Sequence, residues 1–383
     1  MDNKAIRDKR IKNTVFVFII IIIVVILYCC NKTDSEYKKQ WYLENRGDLT
    51  SVSQAKYFRG SRTMIKGVDI NIKKFWHVSS KIKDVHYTKV AIVDTGIDYS
   101  HSELSGKIWT NRKEISNDGI DNDMNGYIDD IHGWNFVNEN NRISSYRYSP
   151  YENSHGTAIA GIIAAKKNGK KVQGIVNSNM MGIISLKVLG DVGGKINSGT
   201  INDLISAIEY AEKNGAEICN LSINTNIHNK KLEKVIKHSR MLFVVSAGNH
   251  QPKGKNIDYS KSYPASCNFE NVITVASMNY DGKFEATSNY GDKSVDIAAP
   301  GMYIYTTIPK NRCDYASGTS FATAMVSGVA LNIYIKSERM SAGQCKRLIC
   351  DSCRKISELK KKVKTGGMLD AGRVMECFEQ RYE

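Results

Sequence analysis

A serine near the end of the chain lies where a helix is predicted to begin. Gly318 permits a sharp turn, and the run from Phe321 to Ile335 is apolar with small residues at helical spacing, so Ser320 is expected at the N-terminus of a buried helix. The unpaired N–H groups and partial positive charge there stabilise an anion. Because a serine that attacks a carbonyl generates an oxyanion, Ser320 is a candidate nucleophile. Taken alone, the pattern is more typical of a small-residue cap on a packed helix.

An aspartate and a histidine supply the other groups that such a serine needs. The apolar run that starts at Lys89 closes with Asp94 and Gly96, which predicts a buried strand whose carboxyl end carries Asp94. In open α/β sheets, functional sites are built at that edge. His155 follows a polar loop and opens a run of small residues, which places it on the first turn of another helix. A histidine acts as a base only with partners, and here Asp94 and Ser320 are available.

Three short phrases around these residues resemble those of the subtilase family of serine peptidases. They are Asp-Thr-Gly from Asp94, His-Gly-Thr from His155 and Gly-Thr-Ser ending at Ser320, in that order along the chain. The presence of all three phrases in this order indicates the family far more specifically than any one of them does. The resemblance covers nearly everything from about Gln40 onward. It extends to residues 244–249, 263–266, 272–277, 298–301 and 365–370.

The resemblance implies a role for each of these residues in peptide hydrolysis through an acyl-enzyme. His155 would accept the proton of Ser320 and later donate it to the leaving amine, while Asp94 orients the imidazole. Asn249 matches the family's side-chain oxyanion donor, and the backbone N–H of Ser320 would be the second donor. The implied activity is that of a serine endopeptidase. Two alternatives are a dedicated peptidase that processes one precursor and a catalytically silent binding protein on the same scaffold.

The alternation of apolar runs predicts an α/β fold. Strand-like segments such as 182–189 alternate with helix-like segments such as 202–211, which is typical of a mainly parallel central sheet with helices on both faces. The apolar fraction of 42% is ordinary for a folded protein. We therefore expect one subtilisin-like peptidase domain over residues 40–383, which acts as a monomer.

The N-terminus has the pattern of a signal anchor. Residues 1–12 contain five lysines and arginines, and residues 13–30 form an apolar segment without charge, which predicts a cytoplasmic tail and a transmembrane anchor. The catalytic domain would then lie outside the cytoplasm at the cell membrane, or be secreted if the segment is cleaved. Residues 31–39 form a short linker that cannot supply a folded propeptide. We therefore expect folding without an intramolecular chaperone.

An acidic loop predicts a structural calcium site. Candidate ligands alternate along residues 118–130 around Gly126, a spacing that allows a tight loop to wrap a hard cation. The loop lacks the closing glutamate of an EF-hand, since His132 falls at that position, and a solvated acidic turn is the alternative. The predicted ligands are Asp118, Asp121, Asp123, Asn125 and Asp130.

The predicted substrate-binding residues depart from the family pattern on one side. Where subtilases usually have Ser-Leu-Gly-Gly along one wall of the primary specificity pocket, this chain has Ser222-Ile223-Asn224-Thr225. Backbone pairing with a substrate at Ser222 and Asn224 survives this change, but the larger side chains occupy space that glycines leave open. The opposite wall retains Gly193 and Gly194. These differences leave the preferred substrate residue open.

Charge and cysteine content restrict the partners. The formal net charge of +15 favours an anionic envelope or acidic substrates. No stacking or groove-reading motif for nucleic acid is evident, so none is expected as a partner. Of nine cysteines, seven lie beyond the anchor, and Cys345, Cys350, Cys353 and Cys377 are close enough in sequence to pair in an oxidising environment.

Overall fold

The computed structural model describes residues 36–56, 58–61, 63–144, 153–192, 195–337 and 339–382. The basic tail at 1–12, the predicted anchor at 13–30 and most of the linker at 31–39 lie outside these ranges. Within them, no helix combines the length and the apolar character needed to cross a membrane.

A nine-stranded sheet forms the centre of the fold. Every pair of neighbouring strands is parallel except the edge pair β12–β13, so the prediction of a mainly parallel sheet is confirmed. The strands follow in the spatial order β12 (Arg354–Lys355), β13 (Gly367–Met368), β9 (Ile297–Pro300), β8 (Val272–Met278), β7 (Leu242–Ser246), β6 (Ile218–Leu221), β1 (Thr88–Asp94), β3 (Met181–Lys187) and β2 (Gly133–Asn135). Two antiparallel hairpins stand apart, β4 (Gly190–Val192) with β5 (Lys195–Ser198) and β10 (Ile304–Ile308) with β11 (Arg312–Ala316).

Side chains on the central strands alternate between two hydrophobic cores. On β1, Val90 and Ile92 belong to one core while Ala91 and Val93 belong to the other. Because successive side chains of a strand point to opposite faces, both faces of the sheet are covered. For this reason, the strands of a parallel sheet appear in the sequence as continuous apolar runs. The prediction of helices on both faces is confirmed.

Helices divide between the two faces. The first core contains residues of α2 (Ile72–Ser79), α3 (Ser154–Ala164), α6 (Thr319–Ile335), α7 (Ala342–Asp351) and α8 (Ala371–Tyr382), and the second contains residues of α4 (Ile201–Lys213) and α5 (Lys230–His238). A single-turn helix, α1 (Thr50–Ser53), precedes them. All residues of α6 are buried, which explains why its sequence is apolar all round rather than amphipathic.

The cysteines of the described residues carry free thiols. None of Cys345, Cys350, Cys353 and Cys377 forms the disulfides that their proximity in sequence allowed. Burial raises the pKa of the Cys345 thiol, which suppresses the thiolate that disulfide exchange requires.

Helix α3 approaches the β10–β11 hairpin so closely that only glycine fits at one position. A Cβ on Gly161 would lie 2.1 Å from the Thr307 hydroxyl and 2.8 Å from that of Thr306. Neither hydroxyl can withdraw freely, because they donate to the carbonyls of Thr157 and Ala158 on α3.

Gly161→Val should therefore lower the free energy of unfolding by about 1–3 kcal/mol through overpacking. Glu209→Val, which places a valine on the exposed face of α4, should lower the free energy of unfolding by less than about 1 kcal/mol. Urea unfolding of both variants measures the difference. Equal stability of the two variants would show that the α3–hairpin contact is not tightly packed.

Candidate active site

The structure brings Asp94 and His155 into direct contact. Asp94 ends β1, and His155 is the second residue of α3. The Nδ1 atom of His155 lies 2.8 Å from Oδ1 and 2.9 Å from Oδ2 of Asp94. Because Nδ1 donates to the carboxylate, the Nε2 atom is left as the proton acceptor.

Backbone groups hold the Asp94 carboxylate in place. Asp94 is 1% exposed, and its Oδ1 accepts the N–H of Thr95 at 2.7 Å. The Thr95 hydroxyl in turn accepts the N–H of Gly156 at 3.2 Å, on the first turn of α3. Thr95 therefore fixes the aspartate and the start of the histidine helix together. A buried carboxylate needs such partners, since its charge is otherwise very costly to bury.

The environment of His155 favours its protonated form. Burial lowers the pKa of His155, but the charge of Asp94 and the hydrogen bond to it raise the pKa above its ordinary value. One third of the side chain, 33%, is exposed to solvent. The site thus stabilises the imidazolium that forms when a histidine takes a proton from a nucleophile.

Ser320 lies at the buried N-terminus of α6, and the residue after it contacts the histidine. It is the second residue of that helix and is 7% exposed. The ring of Phe321, the next residue, lies 5.4 Å from that of His155 between centroids. No hydrogen bond joins Ser320 to His155 among the described residues, and such bonds often tighten only when substrate binds.

Asn249 faces the start of α6 with its amide orientation fixed. Its Oδ1 accepts the N–H of Thr319 at 3.1 Å, so the NH₂ group is the end that remains available as a donor. Gly318 has φ = +141°, and a Cβ there would lie 3.3 Å from the Asn249 amide nitrogen. The glycine therefore provides both the turn and the close approach. The Ser320 N–H, in the first turn of α6, is a second donor without an intrahelical partner.

A polar cavity of about 390 Å³ opens beside Asn249. We call it the Asn224 pocket. The Asn224 side chain donates to Ser246 Oγ at 2.7 Å and accepts from Ser262 Oγ at 3.2 Å, so it forms a fixed wall. Ser222, which accepts from Asn220 at 3.3 Å, precedes this wall and does not line the pocket. The predicted opposite wall, Gly193 and Gly194, lies outside the described residues. The lining includes six residues with polar side chains, Asn224, Asn226, Asn249, Lys255, Ser262 and Asn289.

Two of the four predicted carboxylate ligands of calcium converge, together with a glutamate that the sequence pattern did not indicate. Carboxylate oxygens of Glu114, Asp121 and Asp123 lie within 4.8 Å of one another. Glu114 precedes the acidic loop and reaches it by accepting the N–H groups of Asp123 and Asp129, each at 3.0 Å. Its position outside the repeating pattern explains why motif spacing misses it.

The other three predicted ligands have partners elsewhere. Asp118 accepts from the backbone of Ile120 and the side chain of Asn122. Asp130 accepts from Tyr210, from Asn111 and from Asn125, whose amide is thereby engaged. The ligand set that the structure brings together therefore differs from the predicted one.

Comparisons with known proteins identify the family of the chain. A model of the subtilase family matches residues 86–370. Subtilisin-like protease 1 of Plasmodium berghei (strain Anka) is 30% identical over 306 residues, which are 75% of this chain and 49% of that protein. Thermitase of Thermoactinomyces vulgaris is 32% identical over 273 residues, 70% of this chain and 82% of that protein. The chain thus spans about half the length of the Plasmodium relative.

A solved structure has the same fold. A chain from a study of the assembly of the subtilase cytotoxin SubAB superposes with a TM-score of 0.63 at 23% identity, covering 82% of this chain and 96% of that chain. At this level of identity, the likeness concerns the fold alone.

The Asp94–His155 contact predicts the titration of the histidine. In an inactive Ser320→Ala protein, His155 should titrate above the usual value of about 6.5, and Asp94→Asn should bring its pKa below that value, since burial then acts without the opposing carboxylate. In the active protein, kcat/KM should fall as the pH drops through the His155 pKa, because an imidazolium cannot accept a proton. NMR titration measures both pKa values; the signal of the His155 ring is assigned by its absence from the spectrum of His155→Gln. An unchanged pKa in Asp94→Asn would contradict the coupling.

Proposed function

The chain belongs to the subtilase family, and on that basis we propose that it is a serine endopeptidase that hydrolyses peptide bonds through an acyl-enzyme. The observation that supports this most is the contact of His155 with the buried Asp94, beside the N-terminus of the helix that carries Ser320. Substrates are peptides or proteins.

Each residue of the site has a separate task in this reaction. His155 Nε2 takes the proton as Ser320 Oγ attacks the carbonyl carbon, and Asp94 stabilises the imidazolium. The proton then passes to the leaving amine, which leaves an ester between Ser320 and the acyl part of the substrate. Water, activated by the same imidazole, hydrolyses that ester and restores the serine.

The oxyanion binds between the Asn249 amide and the Ser320 N–H. Both donors are set before the reaction, one by the hydrogen bond from Thr319 and the other by the helix. Preorganised donors stabilise charge that develops only in the transition state, so they act on turnover more than on substrate binding.

We also propose that residues 13–30 anchor the protein in a membrane with the peptidase domain on the outer side. Five basic residues precede an apolar segment without charge, an arrangement that retains the N-terminus in the cytoplasm. Secretion after cleavage is the alternative.

Calcium is the proposed structural cofactor of the acidic loop. The carboxylates of Glu114, Asp121 and Asp123 are hard oxygen ligands at coordination spacing. Asp123 Oδ1 is buried without a hydrogen-bond partner among the described residues, which fits a carboxylate that needs a cation. The ion would neutralise these charges and hold the loop against the rest of the domain.

The narrowed wall of the pocket favours a selective peptidase over a general one. Asn224 fills space beside the scissile bond and is fixed at both ends. A dedicated processing enzyme is therefore the second candidate function. A peptide-library cleavage profile distinguishes the two, since a processing enzyme accepts few sequences and a general peptidase many.

Two substitutions of Asn249 separate catalysis from structure. Asn249→Ala and Asn249→Asp both remove the amide donor, so each should lower kcat about 100-fold or more with a small change in KM. Asn249→Asp retains an acceptor for the Thr319 N–H and should preserve the melting temperature. Steady-state kinetics on a fluorogenic peptide and thermal unfolding measure these effects. Full turnover in both variants would remove Asn249 from the mechanism.

Calcium should stabilise the fold through the three converging carboxylates. Because a ligand that binds only the native state raises the free energy of unfolding, calcium at about 100 times its Kd adds roughly 2.7 kcal/mol. Asp123→Asn should abolish most of the melting shift between chelator and calcium. Asp118→Asn, the same change at an acidic residue outside the cluster, should retain it. If both variants lose the melting shift equally, or if neither loses it, the ion does not bind at this cluster.

A further inference from the structure

We infer that the Asn224 pocket selects an acidic substrate side chain, a glutamate or aspartate, at the residue whose carbonyl is attacked. The inference rests on the proposed peptidase function and names the substrate class of that same site. Lys255 lines the pocket, and none of the lining residues that the structure describes is a carboxylate.

The position of the pocket determines which substrate residue enters it. Asn249 binds the oxygen of the scissile carbonyl and is itself part of the pocket lining, as is Gly248. The side chain of the residue that carries this carbonyl branches from the adjacent Cα, so a carbonyl oxygen bound at Asn249 brings that side chain next to the cavity. A Cβ on Gly248 would lie 2.9 Å from the Asn289 amide and 3.3 Å from the Asn224 amide, so the glycine allows both amides to approach the backbone beside Asn249.

The walls of the pocket are polar and fixed. Asn289 donates to the carbonyl of Ala247 at 3.0 Å and accepts the N–H of Lys255 at 2.9 Å. Asn224 is held in the same way by Ser246 and Ser262. Ile257 is the one aliphatic side chain in the described part of the lining. An aliphatic or aromatic substrate side chain would bury little apolar surface there and gain correspondingly little free energy.

The charges around the pocket favour an anion. Lys255 is exposed, and its ammonium has no acidic partner among the described residues. The nearby carboxylates do not line the pocket: Asp258 accepts the backbone N–H groups of Lys293 and Ser294, and Glu233 pairs with His228 at 2.7 Å. A substrate carboxylate in the pocket would therefore have amide groups and Lys255 among its neighbours and no carboxylate of the described lining, and the net charge of +15 adds a favourable field.

The test compares peptides that differ only at that residue. Glutamate and glutamine have the same shape, so their ratio of kcat/KM isolates the charge, and lysine reverses it. With the full chain at low ionic strength, kcat/KM should follow the order Glu > Gln > Lys, with at least about a tenfold ratio of Glu to Lys, since each factor of ten corresponds to about 1.4 kcal/mol. Leucine and phenylalanine peptides should be poorer substrates than the glutamate peptide.

Two lysines in one loop supply the variant and its control. Lys255→Glu should reduce the Glu-to-Lys ratio at least about tenfold, and Lys255→Gln should give an intermediate ratio. Lys253→Glu introduces the same charge change at an exposed residue outside the pocket lining, and it should leave the ratio nearly unchanged. Fluorophosphonate labelling of each protein reports whether its serine remains reactive.

Different results would contradict the preference for an acidic residue and the proposed peptidase function. Cleavage with a preference for leucine or phenylalanine, or equal changes in the Lys253 and Lys255 variants, would overturn the inference while peptide hydrolysis stands. A wild-type protein that neither reacts with fluorophosphonate nor cleaves any peptide would overturn the proposed function and this inference together.

Discussion

The buried Asp94 carboxylate is the constraint on which the site depends. It is 1% exposed at the end of a central strand, where an isolated charge would be very costly. The Thr95 N–H and the His155 ring satisfy it. Lys187, wholly buried on the neighbouring strand, donates to the Thr95 carbonyl at 2.7 Å. The residues that hold Asp94 thus also determine the position and tautomer of the histidine, and the sheet supplies the rigid edge from which they act.

A second constraint joins the oxyanion site to the catalytic helix. Gly318, which immediately precedes α6, adopts a conformation that other residues rarely take, and the helix is buried over its whole length. The N–H of Thr319, the first of that helix, orients the Asn249 amide, while the next N–H, that of Ser320, has no intrahelical partner. The Asn249 amide is thus oriented by a hydrogen bond, and the Ser320 N–H by the helix that contains it. In the proposed reaction, such preorganised donors would stabilise the charge that develops in the transition state without a rearrangement.

The sequence predicts those parts of the protein that depend on local patterns. Apolar runs indicated the parallel sheet because a strand buried on both faces cannot alternate with polar residues, and short phrases located Asp94, His155 and Ser320. Such local patterns do not predict contacts between segments that are far apart in the sequence. Glu114 approaches the acidic loop only through backbone hydrogen bonds, and Lys255 joins Asn224 in one cavity through chain folding. The disulfides allowed by cysteine spacing do not form in the described residues, because spacing along the chain does not specify side-chain direction.

Mass spectrometry of the protein after reaction with a fluorophosphonate tests the central claim most directly. We expect one adduct per chain, on Ser320, because only a serine activated by a neutral histidine and an oxyanion site reacts rapidly with this reagent. The rate of labelling should fall strongly in His155→Ala and in Asp94→Asn. An adduct on another residue, or a rate that neither substitution changes, would contradict the proposed assembly of Asp94, His155 and Ser320 as one catalytic unit.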